Sequence, residues 1–344
     1  MAKVLNFGEL LLRICPDVEG NWLKNNNLPF YVGGAELNVA TALALWGIPS
    51  AYLTALPDNT LSAQLLDYIR GLNIDTTAVQ HHGDRIGLYY LHQGKDMKNA
   101  GVIYDRANSS FATLPTGKID WEEVFKEVSW FHFSAICPAL SQMAANLCLE
   151  ALQEASARGI YISIDLNYRA KLWKYGKEPL EVLPALVGYC DLVMGNLWAA
   201  EKMLGIPVPD YIAVQDKKEL YLEQSLKSST ALMGLFPKCK VVANTFRFDY
   251  EQGVKYYSTL FTEGHLHVSK EYRSEKIVDK VGSGDCYMAG LIYGFYLRKS
   301  AQQSLDFATA AAFSKLFVES DATTVKSEDV QQKAAAYEII ESIH

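Results

Sequence analysis

A short run of small and acidic residues precedes an apolar helix in the last quarter of the chain. It reads Asp279-Lys280-Val281-Gly282-Ser283-Gly284-Asp285, and the segment from Cys286 to Leu297 follows it directly. Glycine lets the backbone approach a ligand closely. The start of a helix presents unpaired N–H groups and the positive end of the helix dipole. Such a site would stabilise the charge on a transferring phosphoryl group, and Asp285 could accept the proton of an attacking hydroxyl.

This interpretation has a simpler alternative. An Asp before a helix is most often an N-cap, and Gly-Ser-Gly is often only a turn, so the stretch taken alone favours a structural role. The sequence contains no G-x-x-x-x-G-K-S/T loop and no protein-kinase catalytic loop. No G-x-G-x-x-G pattern follows the first strand, which disfavours a dinucleotide-binding fold and with it a dehydrogenase.

Segments typical of strands and of helices alternate along the chain. The strand-like segments are Val4 to Phe7, Ala51 to Ala55, Trp130 to Ile136, Tyr161 to Leu166, Asp191 to Met194 and Val241 to Thr245. The helix-like segments are Glu36 to Trp46, Ser62 to Gly71, Gln142 to Arg158, Cys286 to Arg298 and Ser304 to Val318. The alternation predicts an α/β fold with a mostly parallel sheet covered on both faces. Segments 13–32 and 85–106 break the rhythm, and we expect them to form a flap outside the main sheet.

Composition narrows the class of protein. The 344 residues are 49% hydrophobic and carry a formal net charge of −7 without a block of Lys or Arg, so a nucleic-acid partner is not expected. None of the six cysteines forms a C-x-x-C pair, which favours reduced thiols in a cytoplasmic protein. The longest uncharged stretch, 128–149, contains His132 and Pro138 and predicts a strand, a turn and a helix rather than a membrane span.

The chain resembles the ribokinase (PfkB) family of carbohydrate kinases over nearly its whole length. The family's late signature, D-T-x-G-A-G-D before a helix, stands here as D-K-V-G-S-G-D from Asp279 to Asp285. Its early signature, Gly-Gly before a helix that carries Asn, stands as Gly33-Gly34-Ala35-Glu36-Leu37-Asn38. The resemblance implies a ribokinase-like three-layer sandwich and a single kinase domain over 1–344, with a small β lid formed by the segments at about 13–32 and 85–106. It also implies ATP and Mg²⁺ as cofactors.

The resemblance assigns roles residue by residue. Asp285 looks like the catalytic base, and Gly282, Ser283 and Gly284 look like the anion hole. Gly34 and Asn38 look like sugar contacts. The run Ala308 to Ala312, with Ala311 in it, falls where the family's helix packs beside adenine; without the family, small residues on a helix would be read as close packing.

Two departures from the family pattern concern metal ions. Lys280 replaces the usual Thr in a region that helps to bind a monovalent cation, for which Asp279 is the candidate ligand. The family's N-x-x-E motif organises magnesium, but here Asn196 is followed by Leu-Trp-Ala and the nearest acid is Glu201. Either Glu201 takes that role through a shifted helix start, or magnesium is held mainly through water and phosphates.

Within the family the chain is most similar to 2-keto-3-deoxygluconate kinases. The stretch from Asp165 to Arg169, which includes Asn167, follows a strand at the edge where open α/β sheets bind ligands. Tyr104 and Arg106 point to one face of a flap strand, and the resemblance favours Tyr89 over Tyr90 on another. Arg106 and Arg169 are the candidates for the carboxylate and the keto group of the substrate, because the planar guanidinium matches a carboxylate in two parallel hydrogen bonds. A surface ion pair for Arg169 and plain lid packing for Tyr104 are the alternatives.

The expected activity is ATP-dependent phosphorylation of the terminal hydroxyl of a sugar acid, 2-keto-3-deoxygluconate, to its 6-phosphate. A kinase for a neutral sugar or nucleoside and a non-catalytic sugar-binding homologue are the alternatives. The expected partners are the sugar acid and ATP, with neither nucleic acid nor membrane among them. A homo-oligomer is expected, because exposed flap strands offer an edge for pairing.

Overall fold

The computed structural model describes residues 2–16, 20–24, 26–92, 101–215, 217–250 and 253–336. Its strands are β1 Lys3–Phe7, β2 Leu11–Ile14, β3 Phe30–Gly33, β4 Ser50–Leu53, β5 Ala55–Leu56, β6 Ile74–Asp75, β7 Gln80–His81, β8 Gly87–Tyr90, β9 Ile103–Asp105, β10 Val128–Ser134, β11 Tyr161–Asp165, β12 Leu192–Gly195, β13 Val241–Tyr250, β14 Gly253–Thr262, β15 His265–Val268 and β16 Tyr272–Ser274. Its helices are α1 Ala35–Leu45, α2 Thr60–Gly71, α3 Trp121–Val124, α4 Gln142–Ala157, α5 Pro179–Val187, α6 Leu197–Leu204, α7 Tyr211–Gln215, α8 Lys218–Leu235, α9 Ser283–Tyr296, α10 Ala301–Lys315 and α11 Ser327–Ala336.

The main sheet has the order β15-β14-β13-β12-β11-β10-β1-β4-β6, with β16 paired to β14. From β6 to β13 every neighbouring pair is parallel, whereas β14 runs antiparallel to β13, β15 and β16. Helical crossovers between buried apolar strands produce such a sheet. The α/β expectation with a mostly parallel sheet is confirmed.

Successive residues of one strand enter cores on opposite faces of the sheet. Val4 and Trp130 pack with residues of α1, α9 and α10. Leu5 and Phe131, their neighbours in sequence, pack with residues of α4, α5 and α6. Because side chains alternate across a strand, both faces of β1 and β10 are apolar. Helices therefore cover the sheet on both sides, in three layers.

A second, four-stranded sheet has the order β3-β2-β8-β9. Strand β2 is antiparallel to β3 and parallel to β8, and β8 is antiparallel to β9. Its strands fall in or beside the two irregular segments of the sequence, beginning at Leu11 and ending at Asp105. Parts of the expected lid segments, residues 17–19, 25 and 93–100, lie outside the described residues.

Two elements differ from the sequence prediction in ways that shape the cavity. Strand β13 continues to Tyr250 and pairs with β14 over its full length, whereas the apolar run predicted an end at Thr245. The extension alternates Phe246 and Phe248 with polar residues, a period of two that a search for a buried apolar run misses. Helix α9 begins at Ser283 rather than Cys286, so Asp285 lies inside its first turn.

Close packing of α9 on α10 explains the alanine-rich run. A Cβ atom on Gly290 would lie 2.5 Å from the Cα atom of Ala308, and one on Gly294 would lie 2.4 Å from Oγ of Ser304. Small residues on both helices thus allow their backbones to approach, which holds the first turn of α9 at a defined place above the sheet.

The uncharged stretch 128–149 forms β10, a turn at Pro138 and the first part of α4, as expected. Among the described residues, no helix combines the length and the apolar character needed to cross a membrane.

Candidate active site

A cavity of about 780 Å³ opens at the carboxyl ends of the parallel strands. Asp165 at the end of β11 and Gly195 at the end of β12 form part of its floor, and the start of α9 forms one wall. Leu11, Tyr89 and Tyr104 contribute the small sheet as the opposite wall. Ligands of open α/β sheets bind at this edge, and the volume suits a small-molecule site.

Most of the residues singled out from the sequence meet in this cavity. Those that line it are Gly34, Asn38, Tyr89, Tyr104, Arg106, Asn167, Arg169, Asn196, Gly282, Ser283, Gly284 and Asp285. The structure does not bring Ala311, Glu201 or Asp279 to its wall.

The start of α9 has features that an anion hole requires. Gly282 is the N-cap residue with a φ of 76°, in the left-handed region that favours glycine. A Cβ atom there would lie 1.8 Å from the carbonyl oxygen of Asp321, so no other residue fits. Ser283 Oγ donates a 2.9 Å hydrogen bond to the carbonyl oxygen of Ala312, which ties this turn to α10. The first N–H groups of the helix have no intrahelical acceptor and remain available to an anion.

The carboxylate of Asp285 does not cap its helix, although it stands in the first turn. No side chain caps the start of α9. Instead Asp285 Oδ2 accepts a 2.7 Å hydrogen bond from Nδ2 of Asn38. The N-cap alternative therefore does not account for Asp285.

The pKa of Asp285 is raised to about 8, chiefly by burial. The hydrogen bond from Asn38 and the charge of Arg169 lower the pKa, whereas the nearby acids Asp165 and Glu36 raise it. An ionised carboxylate with few waters is costly, so the proton is held more tightly. A base whose pKa lies near the working pH is well suited to proton transfer in a reaction.

Four buried polar atoms of residues that line this cavity have no hydrogen-bond partner within the described residues. They are Oη of Tyr104, Nε of Arg169, Oδ1 of Asn38 and Oη of Tyr256. Buried polar groups are nearly always paired, so unpaired atoms that share one cavity indicate a polar ligand. Asn167 lies beside them with a φ of 30°, which Asn tolerates better than most residues.

The two candidate arginines differ in their surroundings. Arg106 Nε lies 2.6 Å from Glu9 Oε2 in a buried ion pair, and Ser109 Oγ also donates to Glu9. Arg169 Nη1 donates a 3.0 Å hydrogen bond to the carbonyl oxygen of Tyr168. The charge of Arg106 is thus already balanced by the protein, whereas the contacts of Arg169 leave part of its guanidinium to the cavity.

Tyr89 lies in the cavity wall but its hydroxyl is engaged. Its Oη donates a 2.7 Å hydrogen bond to Asp321 Oδ2, so the ring rather than the hydroxyl lines the cavity. Tyr90, the neighbour with the opposite side-chain direction, packs against the ring of Trp22 at 5.9 Å between centroids.

The pair expected to organise magnesium is separated. Asn196 is the N-cap of α6, and its Oδ1 accepts a 2.8 Å hydrogen bond from the backbone N–H of Ala199. Glu201 lies more than one turn later on that helix. Its Oε1 accepts a 3.2 Å bond from the N–H of Val208, away from the cavity. The helix start is therefore not shifted so as to bring Glu201 to the site. The described residues also hold no group of three or more His, Cys, Asp or Glu side chains arranged for a metal.

Ala311 is buried in the core that joins α9, α10 and the sheet, with 1% of its surface exposed. The alanine run of α10, which includes Ala311, allows α9 and α10 to pack closely. Close packing is the alternative to an adenine contact for this run.

Asp279 does not fit a site for a monovalent cation. Its Oδ2 lies 2.9 Å from Arg13 Nη2, and its Oδ1 accepts a 3.0 Å hydrogen bond from the N–H of Val281. Both oxygens are engaged, and the side chains of Arg13 and Asp279 are fully buried. The carboxylate is already neutralised by the chain itself.

A group of charged residues in the cavity wall was not predicted from the sequence as part of the site. Lys280 Nζ lies 2.9 Å from Asp249 Oδ2, and Arg247 Nε lies 3.5 Å from Asp249 Oδ1. Lys202 of α6 also lines the cavity. A signal was available, because Arg247 and Asp249 are two residues apart and share one face of β13. Cations beside an anion hole suit the phosphates of a nucleotide.

A second residue that was not predicted is Glu36 in the first turn of α1, whose charge acts on Asp285. Its Oε1 accepts a 3.0 Å hydrogen bond from the N–H of Ser134, and burial raises its pKa. Gly8 packs directly on it, since a Cβ atom there would lie 2.0 Å from Glu36 Oε2. Glu36 stands in the early glycine motif, between the predicted sugar contacts Gly34 and Asn38.

Known proteins resemble this chain in sequence and in fold. A 2-dehydro-3-deoxygalactonokinase from Haloferax volcanii is 27% identical over 333 residues, which are 96% of this chain and 96% of that protein. The structure of a 2-dehydro-3-deoxygluconokinase from Thermotoga maritima is 31% identical, with a TM-score of 0.88 over 97% of this chain and 100% of that one. A fructokinase from Xylella fastidiosa, solved with bound ATP, shares the fold with a TM-score of 0.76 at 16% identity, covering 98% of this chain and 99% of that one.

The match to a family extends over most of the chain. Residues 1–231 and 250–327 match the family described as pfkB family carbohydrate kinase. This range includes both glycine motifs and every residue that lines the cavity except Thr245 to Asp249. The chain belongs to the pfkB family of carbohydrate kinases.

Proposed function

We propose that this carbohydrate kinase transfers the γ-phosphoryl group of ATP to the terminal hydroxyl of 2-keto-3-deoxygluconate, forming the 6-phosphate. One observation carries the proposal: a buried carboxylate, Asp285, faces a cavity that also holds the unpaired Nε of Arg169. The first is the base that a hydroxyl acceptor needs, and the second is a donor for the carboxylate of an acid.

The reaction follows from the residues around Asp285. The carboxylate of Asp285 accepts the proton of the terminal hydroxyl of the sugar acid. The oxygen of that hydroxyl forms a bond to the γ-phosphorus, and the bond from the γ-phosphorus to the ADP oxygen breaks. The N–H groups at the start of α9, from Gly282 to Gly284, stabilise the charge on the phosphoryl oxygens. Asn38 orients Asp285 through its 2.7 Å hydrogen bond.

Lys280, Arg247 and Lys202 are the residues that we propose for the nucleotide phosphates, with Asn196 beside them in the cavity wall. Magnesium would neutralise phosphate charge when it is bound. Because Oδ1 of Asn196 is used to cap α6 and Glu201 faces Val208, we expect phosphates and water to supply most of its ligands, as magnesium commonly allows.

The acid end of the substrate is assigned to the wall opposite the nucleotide. Arg169 would bind the carboxylate, with Tyr104 Oη and Asn167 as further donors. Gly34 would allow the carbon chain of the substrate to approach the backbone closely at the start of α1. The terms 2-dehydro and 2-keto name the same carbonyl group, so the two similar kinases from Haloferax and Thermotoga act on acids of one type. The gluconate epimer is proposed because the Thermotoga protein has the higher identity, 31% against 27%.

The proposal also includes the domain organisation, the cellular location and the oligomeric state of the protein. The chain would act as one kinase domain in the cytoplasm, with the small sheet closing over the sugar acid. A homo-oligomer would form through the edges of that sheet, where Phe30 of β3 and Ile103 of β9 are 56% and 59% exposed. Light scattering of the purified protein measures the oligomeric state.

The direct test is coupled release of ADP with magnesium-ATP and a panel of acceptors. The panel holds 2-keto-3-deoxygluconate, 2-keto-3-deoxygalactonate, gluconate, fructose, ribose and a ribonucleoside. Turnover confined to the keto-deoxy acids supports the proposal. A kcat/KM for fructose or ribose above that for either keto-deoxy acid would refute the acid specificity.

A kinase for a neutral sugar is the second candidate, and one observation favours it. Arg106 is already paired with Glu9, so the cavity does not offer two uncompensated guanidinium groups to a carboxylate. The fructose and ribose arms of the panel decide between the two candidates.

A further inference from the structure

Four buried charged residues form a cluster directly behind the anion hole, which we call the charge cluster: Arg13, Asp279, Lys315 and Asp321. Arg13 lies 2.9 Å from Asp279 and 2.7 Å from Asp321. The residues are buried, Arg13, Asp279 and Lys315 fully and Asp321 to within 1%. They come from β2, the loop before α9, the last turn of α10 and the loop after it, so only the folded chain brings them together.

The side chain of Lys315 lies next to the start of α9. A Cβ atom on Gly282 would lie 3.4 Å from Cε of Lys315, which places the side chain immediately behind the N-cap of α9. Its Nζ donates a 3.1 Å hydrogen bond to the carbonyl oxygen of Val318, in the turn that follows α10. Burial lowers the pKa of Lys315, and the charges of Asp279 and Asp321 offset part of this effect by favouring the ammonium form.

The charge cluster is balanced without any added ion. Two carboxylates, Asp279 and Asp321, face two cations, Arg13 and Lys315. Both oxygens of Asp279 are engaged, by Arg13 and by the N–H of Val281. Asp321 also accepts a hydrogen bond from Tyr89. A further cation would add an uncompensated charge to a dry region, which is strongly unfavourable.

We propose that Lys315 fills the place expected for a monovalent metal ion, so that the enzyme needs neither potassium nor sodium for turnover. The ammonium group supports the anion hole from behind, by fixing the charge next to Gly282 and holding the turn after α10 against it. Lys315 touches no substrate in this arrangement, so it is a positioning residue. The proposal rests on the kinase activity proposed above for the same site.

The first test uses the unaltered protein. ADP release is measured in tetramethylammonium chloride and then with potassium, sodium or ammonium chloride replacing it at constant ionic strength. The same kcat in every salt is expected. Thermal unfolding is followed in the same series without substrate, and an unchanged midpoint is expected, because an ion that bound only the folded protein would raise it. A rise of kcat or of the unfolding midpoint with potassium overturns the proposal.

The second test replaces the ammonium. Lys315→Met keeps the length of the side chain and removes its charge, and Lys326→Met on the surface is the matched control. For Lys315→Met we expect kcat to fall by about 10²-fold, as when an element of anion stabilisation is lost, with little change in KM for the acceptor. Added potassium or ammonium ions should restore part of kcat and raise the unfolding midpoint of this variant alone.

The outcomes separate the claims. A Lys315→Met enzyme with reduced stability, normal kcat and no response to added cations would make Lys315 a structural residue and overturn its role. If that variant does not fold, the salt series on the unaltered protein decides the matter. If no acceptor is phosphorylated, the proposed function fails, while the unfolding series still reports whether a monovalent ion binds.

Discussion

Asn38 Nδ2 donates a 2.7 Å hydrogen bond to Asp285 Oδ2, although 247 residues separate them in the chain. The bond joins the first turns of α1 and α9, and it leaves Oδ1 of Asn38 without a partner among the described residues. One amide can therefore orient the carboxylate that we propose as the base and still accept a hydrogen bond from a sugar hydroxyl. The early and late glycine motifs act as one site because this pair connects them.

Asp285→Asn should reduce kcat by about 10²- to 10⁴-fold, the usual contribution of a general base. The amide keeps the shape of the side chain and can still accept from Asn38, so binding of the sugar acid, measured by calorimetry, should change little. Asp67→Asn on the exposed face of α2 is the control and should match the unaltered enzyme. Near-normal kcat in Asp285→Asn would remove Asp285 as the base.

The pH dependence of kcat/KM should follow the ionisation of Asp285 in the free enzyme. Its pKa is raised to about 8, and only the ionised form can accept a proton. Activity should therefore rise with pH and level off above about 8. A profile that is flat from pH 6 to pH 9 would contradict this assignment.

The same shift has a consequence for stability with a definite sign. The folded protein binds the proton of Asp285 more tightly than the unfolded chain, whose Asp has a pKa of 3.8. This group therefore lowers the free energy of unfolding as pH rises from about 4 to about 8. Asp285→Asn should unfold at a higher temperature than the unaltered protein at pH 8.5, and the difference should shrink at pH 5.

Three glycine variants separate backbone strain from space for the ligand. Gly282→Ala should misfold around α9, because its φ is 76° and the Cβ atom would meet the carbonyl oxygen of Asp321 at 1.8 Å. Gly264→Ala is the control, with a φ of 78° and open space around it. Thermal unfolding should show a much larger loss of stability in Gly282→Ala.

Gly284→Ala tests the ligand side of the same turn. A Cβ atom there meets nothing within 4 Å in the free protein, yet Gly284 lines the cavity. The variant should fold normally and lose kcat, since the methyl group would occupy the space of the phosphoryl group. A fully active Gly284→Ala enzyme would show that the phosphoryl group does not approach this residue.

Arginine variants should have opposite consequences at the two positions. Arg169→Ala should raise KM for the sugar acid by about 10- to 100-fold with little loss of stability. This is the effect expected when a hydrogen bond to a charged group of the ligand is lost. Arg106→Ala leaves Glu9 buried without its partner, and it should lower the free energy of unfolding by about 3–5 kcal/mol. Arg158→Ala, at the exposed C-cap of α4, is the control. Equal effects of both site variants on KM, with stability unchanged, would contradict this division.

Lys280→Gln should weaken the binding of ATP rather than the binding of the sugar acid. Lys280 lines the cavity and pairs with Asp249 at 2.9 Å. Loss of one charged contact should raise KM for ATP by about tenfold. Lys276→Gln, at an exposed position in the same loop, is the control. If KM rises instead for the acceptor, Lys280 belongs to the sugar side.

Much of the fold could be predicted because it depends on local patterns. The alternation of apolar runs with amphipathic segments predicted β1, β10 and β11 and the helices α1, α2 and α4. It failed where a pattern was mixed. The prediction for β13 ended at Thr245 rather than at Tyr250, because the second half of the strand alternates polar and apolar residues. The start of α9 was placed late, because a positive φ at Gly282 is a property of backbone geometry and leaves no period in the sequence.

The sequence by itself determined the chemistry: a glycine turn before a helix, an acid in that turn and arginines at the ends of strands. These are properties of residue types a few positions apart, and local interactions are enough to specify them. Only the tertiary structure decided which arginine is paired within the protein: Arg106 pairs with Glu9. It also decided that Lys315, distant in sequence, lies behind Gly282. Burial and charge balance depend on which elements become neighbours, and packing across the sheet settles that after each element has formed.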